Sequence, residues 1–413
     1  MSLKYHQLDS SVEKQIKENI SKGILSPYRF MDENAVRRNM EKDKNSVLRP
    51  SFGRDIEKIL HLPLYNRYND KTQVFSFYNN DDITRRGLHV QLVSRISRNI
   101  GRMLGLNLDL IEAIALGHDV GHTPFGHAGE RYLSELLQKE TGRHFNHNVH
   151  STRVLDILYR RNISLQTLDG ILCHNGEFEL NEYRPKKGLT FEQYDNNVEL
   201  CYTEGGEAIK KLVPSTLEGC VVRICDIIAY IGKDRQDAIT AKILSDDSMF
   251  SSEFIGSKNA EMINNLTVDI VNNSFGKDCI ILSEQAFNDL KTAKKENYEY
   301  IYKNEKIEGQ YNEIIKPMFN ELYYKLLDDV KSKNINSCIY KHHINAIQKS
   351  CQYYEDWDYI SEEPNQIVVD YIASMTDDYF IGLYRLLFPE SDKAIEYHLS
   401  LIHISEPTRH AQI

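Results

Sequence analysis

The sequence predicts an all-α protein, and three observations carry that prediction. Proline and glycine are sparse, 10 and 21 in 413 residues. Alternating apolar and polar runs of strand length are few. Apolar residues instead recur at helical spacing, as in Val93, Ile96, Ile100, Met103 and Leu104.

That stripe predicts a helix over residues 89 to 104, closed by Gly105 at a C-cap position. Asp109 is the expected cap of the next helix, whose apolar face holds Leu110, Ile111, Ile114 and Ala115. Gly121, Pro124 and Gly126 then break the chain, and a helix resumes from about Ala128 to Glu140. Ser215-Thr216-Leu217-Glu218 fits a capping box ahead of a helical run to about Ile243. Residues 181 to 200 are polar, carry Pro185 and Gly188, and read as an excursion or loop. Beyond residue 245 the chain reads as helical again. The expected division is an N-terminal segment 1–50, a core 51–240 and a helical C-terminal region 241–400 packing on the core. Residues 401–413, with Leu401-Ile402-His403-Ile404-Ser405-Glu406-Pro407, break the preceding pattern and read as a non-native tail.

Lys and Arg number 50 and Asp and Glu 60, a net charge of −10, which argues against a general nucleic-acid coat protein. Hydrophobic residues at 41% and charged residues at 27% place the chain among soluble globular proteins. No run approaches ~18 consecutive apolar residues, so no membrane partner is expected. Met1 to Gln7 has no apolar signal region. The cysteines at 173, 201, 220, 225, 279, 338 and 351 contain no C-x-x-C pair and read as buried thiols of a cytoplasmic protein.

The chemistry is concentrated in Gly117-His118-Asp119-Val120-Gly121-His122-Thr123-Pro124-Phe125-Gly126-His127-Ala128-Gly129-Glu130. Imidazoles and carboxylates at this density suit a divalent ion that keeps positions open for water and substrate. His127 and Glu130 are spaced i, i+3, so on a helix they share a face. His89 lies upstream. Asp226 lies downstream in a strongly apolar helix, where a carboxylate needs a cation such as Arg223, a hydrogen bond or a metal. Asp226, Tyr230 and Asp234 follow i, i+4, i+8 and line one helix face. From Ile83 to Leu104 there are five arginines and no acid. Of these, Arg95, Arg98 and Arg102 read as a solvated or subunit-contacting face.

The pattern H…HD…D resembles that of the HD-domain metal-dependent phosphohydrolases. The string HDVGHTPFGHAGE, with Lys71-Thr72-Gln73-Val74, Phe145-Asn146-His147-Asn148 and Asp370-Tyr371-Ile372-Ala373-Ser374-Met375-Thr376-Asp377, resembles their dGTPase branch. The resemblance spans about residues 50 to 390 and implies an HD-domain helical fold with an additional helical C-terminal region. It implies that His89, His118, Asp119 and Asp226 ligate one divalent metal ion per subunit: Mn, Mg, Fe, Co, Ni or Zn. It implies catalytic roles for His127, Glu130 and His147. It places Arg86 and His122 at the substrate phosphates, although His122 reads equally well as structural. It places Gln73 at the sugar, and Tyr230 and Asp234 beside the sugar and phosphates. His174 reads as structural rather than functional, and Trp357 as core or interface.

The implied reaction is hydrolysis of a dNTP, with a dGTP preference as one option, to deoxynucleoside and inorganic triphosphate. The alternatives are an HD phosphohydrolase acting on a deoxynucleoside monophosphate, a cyclic nucleotide, an alarmone or single-stranded nucleic acid, and a non-catalytic nucleotide sensor. The implied partners are the dNTP, an activating nucleotide and further copies of the chain as dimer, tetramer or hexamer. Single-stranded DNA is allowed but not indicated.

Overall fold

The computed structural model describes residues 4–175, 179–251, 253–304, 309–350, 357–395 and 397–399. The tail 401–413 and Cys351 lie outside the described residues. The principal helices are α1 (Ser10–Lys22), α2 (Ser51–Leu60), α3 (Arg86–Leu104), α4 (Leu108–Gly117), α5 (Gly126–Thr141), α6 (His147–Arg153), α7 (Leu165–Leu172) and α8 (Phe191–Glu204). They continue with α9 (Leu217–Thr240), α10 (Asn259–Ser274), α11 (Glu284–Asn297), α12 (Lys316–Lys331), α13 (Asn345–Ser350), α14 (Pro364–Ala373) and α15 (Asp377–Leu387). Extended pairing among the described residues amounts to two short ladders and an isolated antiparallel bridge between Thr72 and Arg85. Tyr78–Asn79 pairs in parallel with His398–Leu399, and Glu182–Tyr183 pairs antiparallel with Ile280–Ile281. The all-α expectation therefore describes the chain.

The long helix α9 is the axis. It is buried almost all round from Leu217 to Ala238, and the charged side chains buried along it, among them Glu218, Arg223, Asp226 and Asp234, each need a partner. Helices α3, α4, α7 and α10 pack against it, and α2 packs on α4. From the C-terminal third, α12 and α14 pack on α5, the helix that begins at the HD-containing turn.

Several boundaries differ from the sequence expectation, each for a local reason. Helix α3 starts at Arg86 rather than His89 and ends with Gly105 in the left-handed region at φ 73. Asn107, not Asp109, caps α4: its side chain accepts from the backbone N–H groups of Asp109 and Leu110. Asp109 lies within the first turn, where a negative charge faces the positive end of the helix dipole. Thr216 caps α9 by accepting from the Gly219 N–H. The expected box does not close, because the Ser215 N–H donates to Asp169 and Glu218 accepts instead from the N–H groups of Phe30 and Asn107. Helix α9 ends at Thr240, short of Ile243, and Lys242 follows at φ 57. The stretch 181–200, expected as a loop, contains a two-residue strand and most of α8, which opens on a true capping box between Thr190 and Gln193. Its period was obscured by a polar outer face.

The described thiols at Cys173, Cys201, Cys220, Cys225 and Cys279 are free and buried, while Cys338 is half-buried. Trp357 is half-buried and donates to Glu362. Arg95 and Arg102 are exposed, and Arg98 pairs with Glu112 at 2.6 Å. No helix of the described residues is long and apolar enough to cross a membrane.

Candidate metal centre and catalytic site

Helix α3 presents Arg86 and His89 one turn apart on its buried face. Opposite, the chain leaves α4 at Gly117 and turns through His118, Asp119 and His122 before α5 begins. This turn is held against α6 so closely that a Cβ on Gly121 would lie 2.3 Å from the Ser151 nitrogen, which only glycine avoids. Phe125 takes a left-handed conformation at φ 60 to enter α5, and its N–H donates to Asp377 at 2.9 Å. Lys71, from the KTQV string, is buried and donates its ammonium to the carbonyls of His122 and Ala373. Burial, aided by the neighbouring Arg67 and Arg86, lowers the Lys71 pKa to about 7.

Four side chains converge where α3, α4 and α9 meet. His89 Nε2 lies 3.0 Å from Asp226 Oδ1. His118 Nε2 lies 3.8 Å from Asp226 Oδ1 and 3.7 Å from Asp119 Oδ2. The cation Arg223 does not serve Asp226; it donates to the Leu212 carbonyl. His118 donates from Nδ1 to the Ala115 carbonyl at 2.7 Å, which fixes the tautomer and turns the Nε2 lone pair inward. That Nε2 is buried and has no hydrogen-bond partner, although buried polar atoms are almost always paired. A paired set of imidazole nitrogens and carboxylate oxygens around an orphaned, inward-facing nitrogen fits a divalent ion. His89, His118 and Asp119 offer ligand atoms within 4.8 Å of one another, as do His118, His174 and Asp226.

The surroundings of both carboxylates favour the ionised form. Burial opposes charge on Asp119, but Arg86, whose guanidinium donates directly to Oδ2, and then His118 hold its pKa well below the usual range. Burial likewise opposes charge on Asp226, and the His89 hydrogen bond brings its pKa down to about 2. Arg86, expected at the substrate phosphates, thus spends one arm on Asp119 and another on the Thr72 carbonyl at 3.2 Å, while its Nε has no partner.

A second cluster adjoins the first. Glu130 accepts from His127 Nδ1 at 3.1 Å and lies 2.9 Å from His147 Nδ1; it also accepts the His147 backbone N–H. Burial opposes its charge, but His147 and His127 hold its pKa well down. Burial opposes charge on His147 as well, yet Glu130 raises it to about 9. The His122 ring stacks on His147 with centroids 4.6 Å apart. Further along α9, Tyr230 is half-buried, and Asp234 is buried and accepts from the Tyr302 hydroxyl at 2.6 Å. Burial raises Asp234 to about 7 against the lowering effect of that hydroxyl. Gln73 sits beside the start of α5, its carbonyl 3.1 Å from where a Gly126 Cβ would be. Its Oε1 is buried without a partner.

His174, read from the sequence as structural, stands beside both clusters. Its Nδ1 donates to the Ile171 carbonyl at 2.6 Å, and its Nε2 reaches His147 Nε2 at 3.2 Å and Asp119 at 3.9 Å. The signal was the Leu172-Cys173-His174-Asn175 segment, itself similar to the dGTPase branch. Tyr302, Lys71 and Asp377 were not singled out as contributors, because their partners are far away in sequence.

The family model described as "HD domain" matches residues 86–231, and that described as "Phosphohydrolase-associated domain" matches residues 280–386. A protein of Caldanaerobacter subterraneus subsp. tengcongensis is 31% identical over 381 residues, covering 91% of this chain and 95% of the relative. Others from Desulfatibacillum aliphaticivorans and Clostridium tetani are 32% and 30% identical, covering 83% and 92% of this chain and 88% and 96% of the relatives. All three are named "Deoxyguanosinetriphosphate triphosphohydrolase-like protein".

Proposed function

This chain belongs to the HD-domain phosphohydrolases of the deoxyguanosinetriphosphate triphosphohydrolase-like type, and from that premise we propose that it hydrolyses dNTPs to deoxynucleoside and inorganic triphosphate. The observation that carries the reading is Glu130 gripping both His127 and His147 immediately beside the His89, His118, Asp119 and Asp226 set. One divalent ion held by those four side chains would polarise phosphoryl oxygens and acidify water.

The protein's own groups do the rest. Water adds to the α-phosphorus, the bond from that phosphorus to the 5′-oxygen breaks, and one proton of the water ends on the 5′-oxygen. His127, its Nδ1 held by Glu130, uses Nε2 for proton transfer at the attacked phosphate. His147, charged by Glu130, and Arg86 place positive charge along the phosphates. The half-buried Tyr230 packs against C2′ and excludes a ribose hydroxyl. Asp234 accepts from the 3′-hydroxyl, with Gln73 at the same sugar. An activating nucleotide and assembly into a homo-oligomer belong to the same reading, as does action on the cytoplasmic nucleotide pool.

The test is product chromatography with Mn on each dNTP singly and on all four together, beside Asp119→Ala. Deoxynucleoside plus intact triphosphate, absent with Asp119→Ala, is the expected result. Turnover only in the mixture identifies an activator. No triphosphate from any dNTP, alone or mixed, overturns the reading.

A further inference from the structure

We propose that His122, His127, Glu130 and His147 form a second metal site, selective for a borderline divalent ion such as zinc and inhibitory when filled. The four side chains each offer a ligand atom, and all of these lie within 4.8 Å of one another. The cluster points to a ligand through His122. Its ring is only 1% exposed, and its Nε2 is buried without a hydrogen-bond partner. A buried imidazole nitrogen in that state is unusual, and an ion at the cluster would satisfy it.

The spacing fits. Ligand atoms about 2.1 Å from a tetrahedral zinc ion lie roughly 3.4 Å apart. Glu130 Oε2 alone sits 3.1 Å from His127 Nδ1 and 3.0 Å from His147 Nδ1, and an incoming ion would displace the protons of these two hydrogen bonds. No carboxylate oxygen needs to cross the site to complete the set.

The two sites differ in donor chemistry. The first has two imidazoles and two carboxylates; the second has three imidazoles and one carboxylate. Oxygen-rich sets suit magnesium and manganese, whereas imidazole-rich sets suit zinc, nickel and copper. Manganese therefore fills the first site alone, and zinc fills both. The inhibitory clause rests on the proposed reaction, because the second ion occupies the His127–Glu130 pair that moves the proton. The stoichiometry does not rest on it.

The experiment is equilibrium dialysis of the full chain against zinc or manganese, with bound metal read by mass spectrometry. Wild type is expected to hold about two zinc ions but about one manganese ion per chain. His127→Ala and His122→Ala are each expected to hold about one zinc ion, and Asp119→Ala to keep the one at the second site. His127 is 58% exposed, so its replacement opens no cavity in the core. About one zinc ion on wild type, or about two on both histidine variants, overturns the proposal. A protein that cleaves no dNTP yet binds about two zinc ions refutes the reaction and supports the site.

Discussion

Replacing Glu130 by Gln would keep the side chain's shape and remove the charge shared by His127 and His147. The manganese-loaded Glu130→Gln enzyme is expected to lose about 10²–10⁴ in kcat, the usual weight of one proton-transfer group. Its manganese content should stay at the wild-type level, because Glu130 is not in the first ligand set. Unchanged kcat with full manganese would remove Glu130 from the chemistry. The His127–Glu130 contact was legible in the sequence, since both sit on one helix at i, i+3. The His147–Glu130 contact was not, because it joins the start of α6 to α5 across a turn whose path no local pattern specifies. The same holds for His174, whose imidazole reaches His147 and Asp119 from the end of α7.

At the scale of elements, the turn from α4 to α5 depends on close approach to α6. Alanine at Gly121 would place its Cβ 2.3 Å from the Ser151 nitrogen and 2.4 Å from the His150 carbonyl carbon. Both obstacles are backbone atoms, so the turn itself must shift. Gly121→Ala is expected to destabilise by about 1–3 kcal/mol in chemical denaturation and to cut turnover by displacing His122. A fully active, equally stable variant would show that the turn has slack. Helix existence was readable here, and the exact starts were not. Asn107 outcompeted Asp109 because the capping residue must be extended, a choice that two adjacent polar candidates leave to tertiary context. Glu218 abandoned its expected box because Ser215 found Asp169 and left Phe30 and Asn107 as the available donors.

Across the whole molecule, Glu218 ties the N-terminal segment at Phe30 and the start of α4 to the base of α9. Burial raises its pKa from 4.5 to about 7, against the lowering effect of those two N–H groups. The folded state therefore binds this proton more tightly than the unfolded chain does. The contribution is full below about pH 4.5 and is lost as pH rises through about 7. Asp169 and Asp234, raised by burial to about 6 and about 7, act in the same direction. Glu218→Gln should narrow the gap between denaturation midpoints measured at about pH 5 and about pH 8. An unchanged gap would place the slope elsewhere. The sequence reads as a C-terminal region packing on the core, but neither these ties nor the choice of α5 as the surface for α12 and α14 is readable from local pattern, since each joins segments with no shared periodicity.

Lys71 and Asp377 give that long reach a temporal meaning. Lys71 bonds a carbonyl 302 residues away, and Phe125 donates to a carboxylate 252 residues away. Chains fold as they emerge from the ribosome, from the N-terminus onward. The histidines of the centre are therefore synthesised well before the segment that clamps their turn. Until residue 377 has emerged, the growing polypeptide has the histidines but not the contact that holds their turn. A chain cut short before Asp377 is expected to carry the histidine motif without the contact that orders its turn, and to bind less manganese than the full chain in equilibrium dialysis.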